Sequence, residues 1–85
     1  MTDTTFNGWT NYETWNVALY IQNEYSIYSL AREWVAEEHG EANVADYWRF
    51  SCTLRELCGE GTPDGVEWNH PALDLDELTE MLQEL

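Results

Sequence analysis

The chain contains no lysine. Its 85 residues carry three basic side chains, Arg32, Arg49 and Arg55, against 17 Asp and Glu, for a formal net charge of −14. That balance excludes a nucleic-acid-binding surface, which needs clustered cations to displace the counterions of phosphates, and excludes attraction to an anionic membrane. Cysteine is scarce as well. Cys52 and Cys58 fall on one predicted helix, where a rise of about 1.5 Å per residue sets them roughly 9 Å apart, beyond the ~7 Å between Cα atoms that a disulfide tolerates. Two reduced thiols point to a cytoplasmic setting. No apolar run approaches the ~18 residues of a membrane span, and the opening MTDTT lacks the basic and apolar regions of a signal peptide. Cys52, Cys58, His39 and His70 show none of the CxxC, HxxxH or HExxH spacings, so neither a metal nor a cofactor is expected. Asp74-Leu75-Asp76-Glu77 resembles a calcium loop only superficially, since the ligand order and the glycine of that loop are missing. Glu13, His39, His70 and Cys58 are the conceivable catalytic groups. No nucleophile elbow, phosphate-cradling Gly loop or carboxylate pair accompanies them, and a non-enzymatic protein is expected.

What is abundant is aromatic: five Trp, five Tyr and two Phe, enough for so short a chain to build a core without disulfide or metal. The pattern predicts an all-α fold, a single domain over residues 1–85 with about four helices and an ordered Gly/Pro loop before the last. Thr10 and Glu13 form a capping box for a first helix over 11–23, with Trp9 as its hydrophobic staple. The apolar residues of that helix nearly surround it, which predicts the most buried helix. Ser26 is the expected cap of a second helix, Ile27 to about Glu38, with Ile27, Leu30, Ala31, Trp34 and Val35 on one face and His39-Gly40 at its end. The two helices form a hairpin. Asn43 is the expected cap of a third helix, Val44 to Cys58, which Gly59 terminates. In the following loop Pro63-Asp64-Gly65 is turn chemistry, while Val66 and Trp68 hold it to the core. Asp74 and Glu77 form a second capping box, and Leu75, Leu78, Met81 or Leu82, and Leu85 make the apolar stripe of the last helix.

GWTNYETWNVALYI resembles the signature of a family of short uncharacterised proteins from phages, bacteria and halophilic archaea, and TPDGVEWNHPALDLDELTEMLQEL resembles that family's ending. The resemblance implies no known activity, cofactor or catalytic residue. Where such relatives carry an acidic glycine turn after the first helix, this chain reads Asn23-Glu24-Tyr25-Ser26, and Asn23 is the residue suited to a left-handed backbone there.

The acidity is uneven. Residues 1–55 carry a net −5 and residues 56–85 a net −9, with no base after Arg55. On the last helix Asp76, Glu80 and Glu84 recur every fourth residue, with Asp74 and Glu77 beside them and Glu67 in the preceding loop. Five carboxylates on a ~15 Å helix approach the charge density of duplex DNA. These six residues form the expected partner-binding face. Trp15, Trp34 and Trp48 belong to apolar stripes and are expected in the core; Trp9 and Trp68 are the expected interface aromatics. The function expected is an acidic protein-interaction module, a possible phage-type inhibitor and DNA mimic that occupies a basic, nucleic-acid-handling surface of a host protein. It would bind neither nucleic acid nor membrane directly. The alternative is a housekeeping or structural protein of a salt-adapted cell, acidic because its surroundings are salty. Mimicry should concentrate the carboxylates, and salt adaptation should spread them.

Overall fold

Helix α1 spans Tyr12–Asn23, and its start is set by a polar side chain. Asn11, not Thr10, is the N-cap: its backbone is extended and its Oδ1 accepts from the Thr14 amide at 2.9 Å. The expected Thr10–Glu13 box is therefore not the cap. Both residues fit the sequence rule, but Thr10 is bound elsewhere. The chain leaves α1 through Glu24 alone, whose extended backbone (φ −89°, ψ 111°) is followed directly by α2, Tyr25–Trp34. No left-handed residue is needed. Asn23 stays helical and its Nδ2 donates to the Leu19 carbonyl. Ser26 is not a cap either, since α2 begins one residue before it and has no side-chain cap at all.

The computed structural model describes residues 8–36 and 46–85. The polar start at 1–5, the expected α2 ending at Glu37 to Gly40 and the expected Asn43 cap with Val44 lie outside the described residues. Helix α3 spans Tyr47–Leu57 and begins later than expected, because Asp46 is extended and its carboxylate accepts from the Arg49 amide at 2.8 Å. Asp46 is thus a cap as well as the 3.6 Å ion-pair partner of Arg49. Gly59, with φ +88°, ends the helix as expected, a conformation that favours glycine. Helix α4 spans Leu75–Gln83, and Asp74 caps it by accepting from the Glu77 amide.

These four helices are those of the described residues, and they make an all-α bundle. Helix α1 packs on α2 and on α4, and α3 packs on α4. The core takes Val17, Ala18 and Ile21 from α1, Ile27, Ala31 and Trp34 from α2, Tyr47, Phe50 and Leu54 from α3, and Leu78, Met81 and Leu82 from α4. The Trp34 and Phe50 rings meet with centroids 5.2 Å apart, in the tilted geometry that aromatic quadrupoles favour.

Between α3 and α4 the chain forms a small hairpin. Gly61 pairs with Glu67, the Thr62 amide donates to the Val66 carbonyl, and Gly65 (φ +93°) donates back to Thr62. A Cβ at Gly61 would lie 2.3 Å from the Val66 carbonyl oxygen, so only glycine permits the two arms to close. Val66 and Trp68 anchor this hairpin in the core, as expected for Val66; for Trp68 the sequence admits both a core anchor and an interface aromatic, and the fold takes the first.

Candidate functional site

Two expectations about tryptophan are reversed. Trp68 is 1% exposed and belongs to the core, so it cannot be an interface anchor. Trp48, expected in the core, is 52% exposed. The reason is register. Tyr47, Phe50, Ser51 and Leu54 form the inward face of α3, and Trp48 lies about 100° around the helix from Tyr47. The inward sector left free at the bundle's end is filled by Trp68 from the hairpin, whose carbonyl accepts from the buried Tyr47 hydroxyl. Trp15 is half-buried, with its ring 5.7 Å from that of Tyr12, and Trp34 is buried as expected.

Helix α1 is also not inward-facing through its aromatics. Its fully buried residues include Thr14 and Asn16, while Tyr12 is 40% exposed. Asn16 donates from Nδ2 to Asp64 at 2.8 Å and accepts at Oδ1 from the Thr62 hydroxyl at 2.6 Å, which fixes the hairpin onto α1. Thr14 donates to Asn11 Oδ1 and accepts from the Asp74 amide. Asn11 Nδ2 donates to the Ala72 carbonyl at 2.7 Å. Thr10 completes this clasp: its hydroxyl donates to Asp74 Oδ2 at 2.8 Å and its amide to Glu77 Oε1 at 2.9 Å. Thr10, Asn11, Thr14 and Asn16 of the TNYETWN run are therefore bound to the C-terminal block. The starts of α1 and α4 meet there, and the positive ends of two helix dipoles favour the Asp74 and Glu77 carboxylates.

Of the six acids expected on the partner face, Asp74 and Glu77 are thus half-buried and engaged in the clasp. Asp76, Glu80 and Glu84 are exposed on α4. Glu67 is exposed on the hairpin, and no contact joins its side chain to the α4 carboxylates. Trp9, half-buried, packs against the core beside α4. There it lines an open groove of about 450 Å³ together with Glu77, Glu80, Met81, Glu84 and Leu85, within reach of Gln22 on α1. This groove is what the sequence reading missed. Residues 77, 80, 81, 84 and 85 share one face of α4, but nothing in their spacing says that Trp9, 68 residues before Glu77, stands opposite them.

The resolved ionisation shifts all hold a group in the form it already has near neutrality. Burial pushes the Tyr47 and Cys58 acidities up in pKa, and desolvation with the nearby Asp64 carboxylate does the same to Tyr20. The amide of Glu77 and the hydroxyl of Thr10 hold Asp74 below the usual carboxylate range. His70 Nδ1 accepts from the Ala72 amide, a turn contact. Cys52 and Cys58 are free. Among the described residues no group of three His, Cys, Asp or Glu could hold a metal ion, and no helix is long and apolar enough to cross a membrane.

The Asp74 shift carries a sign. Its folded pKa is depressed, so its contribution is present above the unfolded value of about 4 and lost as pH falls through the folded value. Acid also neutralises the mutual repulsion of the other carboxylates, which works the other way. The measurement is therefore a difference: between pH ~5 and ~2, wild type should lose stability relative to Asp74→Asn in thermal melts. Parallel curves for the two proteins would show that the clasp does not discriminate between carboxylate and acid.

A sequence profile for a family of unknown function, DUF7249, matches residues 2–85, nearly the whole chain. The protein belongs to this family. The match spans both the run around α1 and the C-terminal block, the two segments that the clasp ties together. No curated protein and no solved structure matches the chain.

Proposed function

We propose that this chain is a small protein-interaction module, without catalytic activity, that presents the acidic face of α4 to a basic surface of a partner protein. The observation that supports this most is the state of Glu80 and Glu84. Both are exposed, neither carboxylate has an ion-pair or hydrogen-bond partner among the described residues, and both border the open groove beside Trp9. Helix α4 has no basic residue in its last turn, so the negative end of its dipole adds to their field. In this reading the face imitates the charge of a nucleic-acid strand, the partner is a nucleic-acid-handling protein of the cell, and the phage-type resemblance makes inhibition of a defence complex its role, in the host cytoplasm.

One observation favours the second reading, salt adaptation of a housekeeping or structural protein. Exposed carboxylates are not confined to α4: Glu24, Glu33, Glu56, Glu60 and Asp64 are also exposed. The deciding experiment replaces Asp76, Glu80 and Glu84 together with Gln, which keeps helix propensity and removes three charges. The wild type should capture a basic protein from extract of the cells that carry the gene, weakening steeply between ~50 and ~200 mM salt. The triple variant should lose that capture while keeping its circular dichroism spectrum. If it captures as the wild type does, the docking reading is wrong and salt adaptation takes its place.

A further inference from the structure

We infer that the groove between Trp9 and α4 is the seat of an arginine side chain from the partner, with its guanidinium against the Trp9 indole and its charge held by Glu80 and Glu84. The inference rests on the docking reading above and names what is docked. A volume of about 450 Å³ falls within the ordinary range of ligand sites. Trp9, Met81 and Leu85 supply an apolar floor that suits an aliphatic stem. Glu80 on α4 and Glu84 at its C-cap line the same groove four residues apart, a spacing that lets one cation meet both. Glu77 is less available, because its Oε1 already accepts from the Thr10 amide.

Among the described residues, no arginine lines this groove. Arg32 lies over the Tyr28 ring on α2, and Arg49 and Arg55 lie on α3. Residues 1–7 and 37–45 contain neither Lys nor Arg. The arginine that would complement these carboxylates is therefore one of another molecule. Three features favour arginine over other cations. A guanidinium is planar and can stack on an indole, it is weakly hydrated and so tolerates the apolar floor, and its forked donors can meet two carboxylates at once. An ammonium is a compact, strongly hydrated point charge that gains less from each of these.

The test uses acetylated hexa-arginine amide and hexa-lysine amide as probes, titrated at ~50 mM salt, where charge-driven contacts are strong. Binding is followed by calorimetry and by the Trp9 indole N–H signal, identified by its absence in Trp9→Phe. Hexa-arginine should bind about tenfold more tightly than hexa-lysine and should move the Trp9 signal. Glu80→Gln/Glu84→Gln should weaken hexa-arginine at least about tenfold, whereas Glu56→Gln/Glu60→Gln, which removes the same charge away from the groove, should weaken it less than about threefold. Equal losses in the two double variants, or equal affinity for the two peptides, would overturn the arginine seat while leaving acidic docking intact. If neither peptide binds, both readings are overturned.

Discussion

Replacing Trp68 with Ala is expected to destabilise the fold by about 3–5 kcal/mol, the usual consequence of deleting a large core aromatic. Trp48→Ala should change stability by no more than about 0.5 kcal/mol, as exposed substitutions do. The contrast runs against the sequence pattern, which places Trp48 inside and Trp68 at an interface. It follows from exposures of 1% and 52%. A domain of this size has about 5–15 kcal/mol in total, so the Trp68 variant should be partly unfolded well below the wild-type midpoint. The indole Nε1 of Trp68 has no hydrogen-bond partner among the described residues. Its contribution is therefore apolar, and Trp68→Phe should recover roughly half of the loss. Equal urea midpoints for the Trp48 and Trp68 Ala variants would refute this assignment of the core.

Asn16→Leu is expected to destabilise by about 2–3 kcal/mol, although it makes the interior more apolar. Leucine cannot accept from the Thr62 hydroxyl, which is buried at 6% exposure and would be left with an unmet donor. Asp64 loses one donor too, but it is exposed, keeps the Tyr20 hydroxyl at 3.2 Å and can be rehydrated. The damage should be local to the hairpin, with faster hydrogen exchange at the Thr62, Gly65 and Trp68 amides, all of which are bonded within it. In a double-mutant cycle with Thr62→Val the two losses should fail to add by at least about 1 kcal/mol. Strict additivity would show that Asn16 stabilises the fold through something other than Thr62.

The clasp gives a physical meaning to the two sequence blocks that resemble family members. Thr10, Asn11, Thr14 and Asn16 hold Thr62, Asp64, Ala72, Asp74 and Glu77 from some 46 to 67 residues away. The long polar motif is a fold determinant. Asp76, Glu80 and Glu84 stay outside the clasp and are exposed.

The sequence alone determined the helical class, the glycine stop after α3, the Asp74 cap, the separation of the two thiols and the inward stripes of α2 and α4 (Leu75 excepted, which is 38% exposed), because each depends on residues within about one helical turn. It also placed the exposed acids of α4, since charged side chains opposite a leucine stripe face water. Only the tertiary structure decided the rest. Thr10 and Asn11 are both good caps, and the choice between them was made by Asp74 and Glu77, which bind Thr10 from the other end of the chain. Periodicity gives a stripe's width but not its centre, so Trp48 and Tyr47 could not be ranked until Trp68 took the inward place. Thr14 and Asn16 read as polar and are buried, because partners distant in sequence satisfy their hydrogen bonds. The groove depends on the same kind of fact: Trp9 meets Glu80 and Glu84 because the clasp brings the start of α1 to the start of α4, a pairing that no local spacing encodes.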